Sequence, residues 1–152
     1  MPTKSCYELN YDRLETLLAR PLGDLPDEAV FRLRAPGFMD LVVEILPRCR
    51  QTGAVVLSLA HYFELNGDLC QDPEMTVRLF APRTRVRGRI EALSFQQAIP
   101  PIYQVVYPGP GMVAPLLKRQ LNAFLSLWLE NLLSQGHRIA QAELPAEAER
   151  RS

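Results

Sequence analysis

The 152-residue sequence predicts an α+β fold: an antiparallel meander of about five strands, with helices from the two ends of the chain packed on its apolar face. Three observations predict it. Apolar and polar residues alternate with period two in successive runs between Phe31 and Ala92, helical periodicity occurs near each end, and turn formers such as Pro36-Gly37 and Asn66-Gly67 separate the runs.

Ser5 and Glu8 have the spacing of a capping box, and Tyr7, Tyr11, Leu14 and Leu18 recur behind them with Leu17 alongside. This predicts a helix over residues 6–19, ended by Pro21 and the segment "PLGDLP". In "AVFRLRAPGFMDLVVEIL", Phe31 and Leu33 alternate with Arg32 and Arg34, then Met39, Leu41, Val43 and Ile45 with Asp40 and Glu44. A three-residue loop of Ala35, Pro36 and Gly37 would set Leu33 opposite Met39 and Arg32 opposite Asp40. Such an exposed cross-strand ion pair is worth roughly 0.2 to 1 kcal/mol.

Residues 54–65 form the third expected strand, with Val55, Leu57, Leu59, His61, Phe63 and Leu65 on one face and Ser58, Tyr62 and Glu64 on the other. "NGDLCQDP" reads as a turn-rich loop, and "EMTVRLFA" as a fourth strand pointing Met75, Val77 and Leu79 inward and Thr76 and Arg78 outward. "APRTRVRGRIEA" follows as the fifth, its arginines 83, 85, 87 and 89 sharing one face.

From Phe95 to Gly111 the chain reads as a loop holding one short strand, "IYQVVY". Pro115 opens a closing helix and Gly136 caps it, with Leu117, Leu121, Phe124, Leu125, Trp128 and Leu132 as the core stripe. Leu116, Leu127, Leu129 and Leu133 widen the apolar arc, which makes Trp128, Leu127 and Leu129 candidates for a homodimer or protein-partner interface. One domain over residues 1–140 and a frayed tail over 141–152 are expected.

At 47% hydrophobic the chain can bury an ordinary core, and its 17 basic and 17 acidic residues cancel. That balance argues against a protein coated with positive charge for non-specific nucleic-acid or membrane binding, so a basic patch must be local. Cys6, Cys49 and Cys70 are odd in number and far apart, which indicates neither a disulfide framework nor a cysteine zinc site. With no apolar leader in "MPTKSCYELN" and no span-length apolar run, the expected setting is the cytoplasm, away from membranes.

Three segments carry a resemblance: "YELNYDRLETLL", "DPEMTVRLF" and "LNAFLSLWLENLLSQGH". Together they resemble the YqiB-like family of bacterial proteins, a domain of unknown function. "HYFELNGDLCQDPEM" and "IYQVVY" are similar to uncharacterised relatives on plasmids and genomic islands. The resemblance implies a small cytosolic bacterial protein and carries no catalytic residue, cofactor or substrate. The alternating arginines are not part of the shared pattern.

Arg78, Arg85, Arg87 and Arg89 are the anion-binding candidates, because guanidinium groups bind phosphate in a bidentate fashion and a row repeating about every 7 Å can follow a nucleic-acid backbone. The same row also protects an exposed strand or pairs with Asp40, Glu44, Glu64 and Glu91. His61, Glu64, Asp68, Asp72 and Glu74 offer a metal-binding or hydrolytic alternative, but strand alternation points His61 inward and Glu64 outward, and Asp68 and Asp72 sit among turn formers. No glycine-rich phosphate loop, nucleophile motif or cofactor signature occurs. The expected function is therefore a non-enzymatic binding or adaptor module using the arginine face or the last helix. Nucleic-acid binding on the stripe and metal binding or hydrolysis at the acidic loop are the alternatives, and no cofactor is expected.

Overall fold

A computed structural model describes residues 3–49 and 51–145, except the side chains of residues 63–65, 69 and 71. Helix α1 (Cys6–Leu18) begins at the expected capping box: the Ser5 hydroxyl accepts from the Glu8 N–H while the Glu8 carboxylate accepts from the Ser5 N–H. A single 3₁₀ turn at Leu22–Asp24 leads into β1 (Val30–Arg34), followed by β2 (Leu41–Ile45), β3 (Val55–Leu65), β4 (Asp68–Phe80), β5 (Arg89–Gln97) and β6 (Ile102–Val105). Helix α2 (Pro115–Gln135) and β7 (Arg138–Glu143) complete the order.

Among the described residues the sheet has seven antiparallel strands rather than about five, in the order β6-β5-β4-β3-β2-β1-β7. Strands β1 to β6 form the expected meander, and β7 returns to pair with β1 at the opposite edge. β7 reaches Glu143, inside the segment expected to be a frayed tail; residues 146–152 lie outside the described part. It escapes the period-two signal because only Ile139 is drawn toward the core.

The β1–β2 pairing differs from the expectation by two residues: Leu33 faces Leu41 and Arg32 faces Val42. The Pro36-Gly37 turn is part of a longer loop, in which the Phe38 N–H donates to the Ala35 carbonyl and Met39 is 47% exposed instead of facing inward. Asp40 still pairs with Arg32 at 3.2 Å, reached across the loop, and with Arg34 at 3.3 Å.

The supposed loop "NGDLCQDP" is largely strand. Asn66 and Gly67 have φ of 53° and 85°, the two left-handed residues of a type I′ turn, and Leu65 pairs with Asp68 directly across it.

One hydrophobic cluster joins Tyr11, Leu14 and Leu18 of α1, Phe31, Val43, Leu59, Val77 and Ile90 of the sheet, and Leu121, Leu125 and Leu132 of α2. Two polar contacts fix α2 within it. The Asn122 side chain accepts from the Ala92 N–H at 2.9 Å, next to the bulge where β5 carries one residue more than β4. Trp128 Nε1–H donates to His61 Nε2 at 3.1 Å, so Nδ1 carries the ring proton and donates to the Asp40 carbonyl at 2.8 Å.

Trp128 is 7% exposed and Leu129 fully buried, so both interface candidates are core residues, whereas Leu127 is 56% exposed. The correction is one of helical phase: Leu129 lies with Leu125 and Leu132 on the buried stripe. Among the described residues no helix is long and apolar enough to cross a membrane.

Candidate anion-binding pocket

The arginine stretch is not a strand. The Arg83 N–H donates to the Val86 carbonyl at 2.9 Å and the Val86 N–H to the Arg83 carbonyl at 3.0 Å, closing a four-residue turn with Thr84 and Arg85 at its tip. Arg85 adopts φ of 65°, a left-handed conformation that costs a non-glycine residue about 1 kcal/mol. Only Arg89 belongs to β5. The four guanidinium groups therefore do not share a face.

Gly88 is where α1 comes close to this segment. A Cβ at that position would lie 2.6 Å from the Tyr11 ring, so α1 packs directly on a bare stretch of backbone. Arg87, one residue before it, turns toward α1 and stands 4.0 Å from Glu8.

Arg78 and Arg89 are instead brought together by β pairing. Arg78 and Phe80 sit two apart on the outward face of β4, and Phe80 faces Arg89 across the β4–β5 ladder. Both guanidinium groups lie over the Phe80 ring, at 4.6 and 4.1 Å from its centroid. Each such contact contributes about 0.5 to 1 kcal/mol and holds its long side chain in place.

The β2–β3 loop and the β4–β5 connection emerge at the same end of the sheet, because Val55 opens β3 opposite Leu79 near the end of β4. Between them lies a cavity of about 420 Å³, lined by Arg48, Arg78, Arg83 and Arg89 with Phe80 and the apolar Val55, Leu79, Pro82 and Val86. Arg48 is tied to Asp27 at 3.0 Å. Arg78, Arg83 and Arg89 have no carboxylate within ion-pair distance among the described residues.

Glu91, opposite Arg78 in the ladder, is engaged elsewhere: it accepts from the Tyr107 hydroxyl and from Lys118 at 2.9 Å. Burial pushes its carboxyl up, but those two hydrogen bonds and the charges of Lys118 and Arg89 outweigh it and hold the group below its usual range. Arg78 Nε is buried without a hydrogen-bond acceptor. Arg78, Arg83 and Arg89 thus line one cavity with no carboxylate in ion-pair contact among the described residues, Glu91 acting on Arg89 only at longer range.

Cys49 is an exposed neighbour on the β2–β3 loop. Hydrogen bonds from the side chain and backbone of Thr52 hold its thiol below the usual range, and the charge of Arg78 acts in the same direction.

Of the sequence-predicted anion set, the pocket contains Arg78 and Arg89 and excludes Arg85 and Arg87. It adds Arg83, which belonged to the stripe, and Arg48 and Phe80, which no local pattern singled out. Pro82 and Gly88, flanking the arginines, were the available signals that the run is not a continuous strand. Of the acidic alternative, Asp68, Asp72 and Glu74 lie along β4, the Glu64 side chain is outside the described residues, and among those described no three His, Cys, Asp or Glu groups converge on a metal-sized point.

Comparison with protein families places most of this architecture in one group. Residues 13–138 match a family model described as "Domain of unknown function (DUF6908)". The chain belongs to that family. The match runs from α1 to the first residue of β7, so every pocket arginine lies inside the DUF6908 span. It agrees with the expectation of an uncharacterised domain, under a family description other than the YqiB-like one. No curated protein and no solved structure matches the chain.

Proposed function

We propose that this DUF6908 protein is a non-enzymatic binding module that takes an anionic ligand in the Arg48/Arg78/Arg83/Arg89 cavity. The carrying observation is the convergence of three guanidinium groups without carboxylate partners on a cavity of about 420 Å³, among the described residues. Arginine prefers bidentate partners such as phosphate and carboxylate, and an apolar flank with a few charged groups is the ordinary make-up of a small-ligand site. The break at Thr84-Arg85 removes the regular spacing on which the nucleic-acid alternative rested, because Arg85 and Arg87 leave the row.

Three free cysteines, two of them exposed, favour a reducing cytoplasmic setting. A bacterial origin shared with mobile-element relatives belongs to the same reading.

Calorimetric titration with inorganic phosphate and with pyrophosphate at low salt tests the site. Wild type is expected to bind and Arg89→Ala to lose most of the heat; no binding of either anion by wild type would end the proposal.

A second surface is favoured by one observation: Leu116 and Leu127 are 58% and 56% exposed on α2, beside a half-exposed Phe124. This face suits a second copy or a protein partner. Sedimentation velocity at rising concentration is expected to reveal a dimer that Leu127→Glu abolishes, and a strictly monomeric wild type would remove it.

A further inference from the structure

Resting on the anion-binding reading, we propose that the pocket's ligand class is an organic diphosphate of nucleoside-diphosphate size, and not a single phosphate or a nucleic-acid strand. Charge sets the first limit. Arg78, Arg83 and Arg89 bring three positive charges with no carboxylate in ion-pair contact among the described residues, and Arg48, held by Asp27, is a fourth. A phosphate monoester carries about −1.5 to −2 at pH 7, which leaves at least one guanidinium unmatched. Two linked phosphoryl groups supply the missing charge and enough oxygens for separate bidentate contacts.

Arrangement sets the second limit. A polymer needs cations spaced along a track, whereas here they surround one cavity: Arg78 and Arg89 are drawn together over Phe80, Arg83 reaches in from the turn, and Arg48 from the β2–β3 loop. The residues that would extend a track leave it, Arg87 toward Glu8 and Arg85 at the left-handed tip of the turn.

Volume and lining set the third. About 420 Å³ exceeds what a diphosphate alone fills and lies within the range of small-molecule sites, roughly 300 to 1,000 Å³. Val55, Leu79, Pro82 and Val86 give the remaining space an apolar wall for the ligand's organic part. The Phe80 ring already carries two guanidinium groups, so the organic part rests on that aliphatic wall, not in an aromatic stack.

The Asp27–Arg48 pair then sets affinity. Asp27→Asn frees Arg48 for the ligand and is expected to tighten diphosphate binding severalfold.

The test is one calorimetric panel at fixed ionic strength: inorganic phosphate, succinate, pyrophosphate, a nucleoside diphosphate and a 20-nucleotide single strand, against wild type, Arg83→Ala and the charge-conserving Arg78→Lys. The expected result is pyrophosphate and the nucleoside diphosphate binding at least tenfold tighter than phosphate or succinate. Arg83→Ala should remove most of that advantage, and Arg78→Lys, which keeps the charge but loses the fork, should weaken the diphosphates at least fivefold. Equal binding of phosphate, succinate and diphosphates would overturn the diphosphate class and leave the anion pocket standing. Tight binding of the single strand alone would overturn it in favour of a polymer, and no binding of any member would overturn both readings.

Discussion

At the residue scale, two positions carry more of the architecture than their neighbours. Gly88 lets the Tyr11 ring lie where a side chain would stand, so Gly88→Ala is expected to destabilise the protein by about 1 to 3 kcal/mol, read from the urea midpoint. His61 links β3 to Asp40 and Trp128 as a neutral ring. Burial pushes its pKa below the usual 6.5, against the opposing Asp40 carbonyl bond, and nearby His137 lowers it further. A depressed histidine pKa means that the unfolded chain binds the extra proton first. The stability His61 contributes is therefore complete above about pH 6.5 and is lost as pH falls through the folded value. Urea midpoints measured from pH 8 to 5 should decline in wild type and decline less steeply in His61→Phe, which should also start lower because Trp128 loses its acceptor. Identical slopes would remove His61 from the account. Cys49 offers a reporter for the pocket: an anion beside Arg78 counters the charge that helps lower its thiol, so pyrophosphate should slow Cys49 alkylation severalfold, followed by mass spectrometry of the 47–54 loop.

At the element scale, the 83–86 turn separates the pocket from the residues the sequence alone would assign to it. Arg85 is strained and does not line the cavity, so Arg85→Gly is expected to raise stability by about 0.5 to 1 kcal/mol and leave phosphate affinity within twofold. A large loss of affinity would mean that the turn presents Arg85 to the ligand. Helix bounds were legible because the signals are local: the Ser5/Glu8 box, Pro115 at the first turn and Gly136 at the cap all act within a few residues. Strand register was less so. Pro36-Gly37 read as a minimal hairpin loop, yet the true loop is longer, because Leu41, Val43 and Ile45 fill the core without Met39. β7 was hidden for a related reason, since a mostly exposed edge strand draws its stability from backbone pairing with β1 and leaves little hydrophobic pattern.

At the scale of the whole molecule, the pocket exists because the meander returns two connections to one end of the sheet, the first bearing Arg48 and the second Arg83. Arg78 and Arg89 could be proposed from strand alternation, but their partners follow only once Val55 is known to face Leu79 and Phe80 to face Arg89. That Arg85 and Arg87 do not line this cavity was not legible, because a left-handed arginine and a ring packed on Gly88 leave no period in the sequence. With formal net charge zero, the protein has no broad positive field to attract polyanions, so binding depends on this local cluster and its salt dependence should reflect about three contacts. The most direct test of that claim is thermal unfolding in pyrophosphate against sodium chloride at matched ionic strength, for wild type and for Arg78→Ala/Arg89→Ala. A ligand that binds only the folded state at a hundredfold excess over its Kd stabilises by about 2.7 kcal/mol. Wild type is therefore predicted to melt several degrees higher in pyrophosphate while the double variant shows no difference; equal melting of wild type in the two salts, or an equal rise in both proteins, would contradict the pocket.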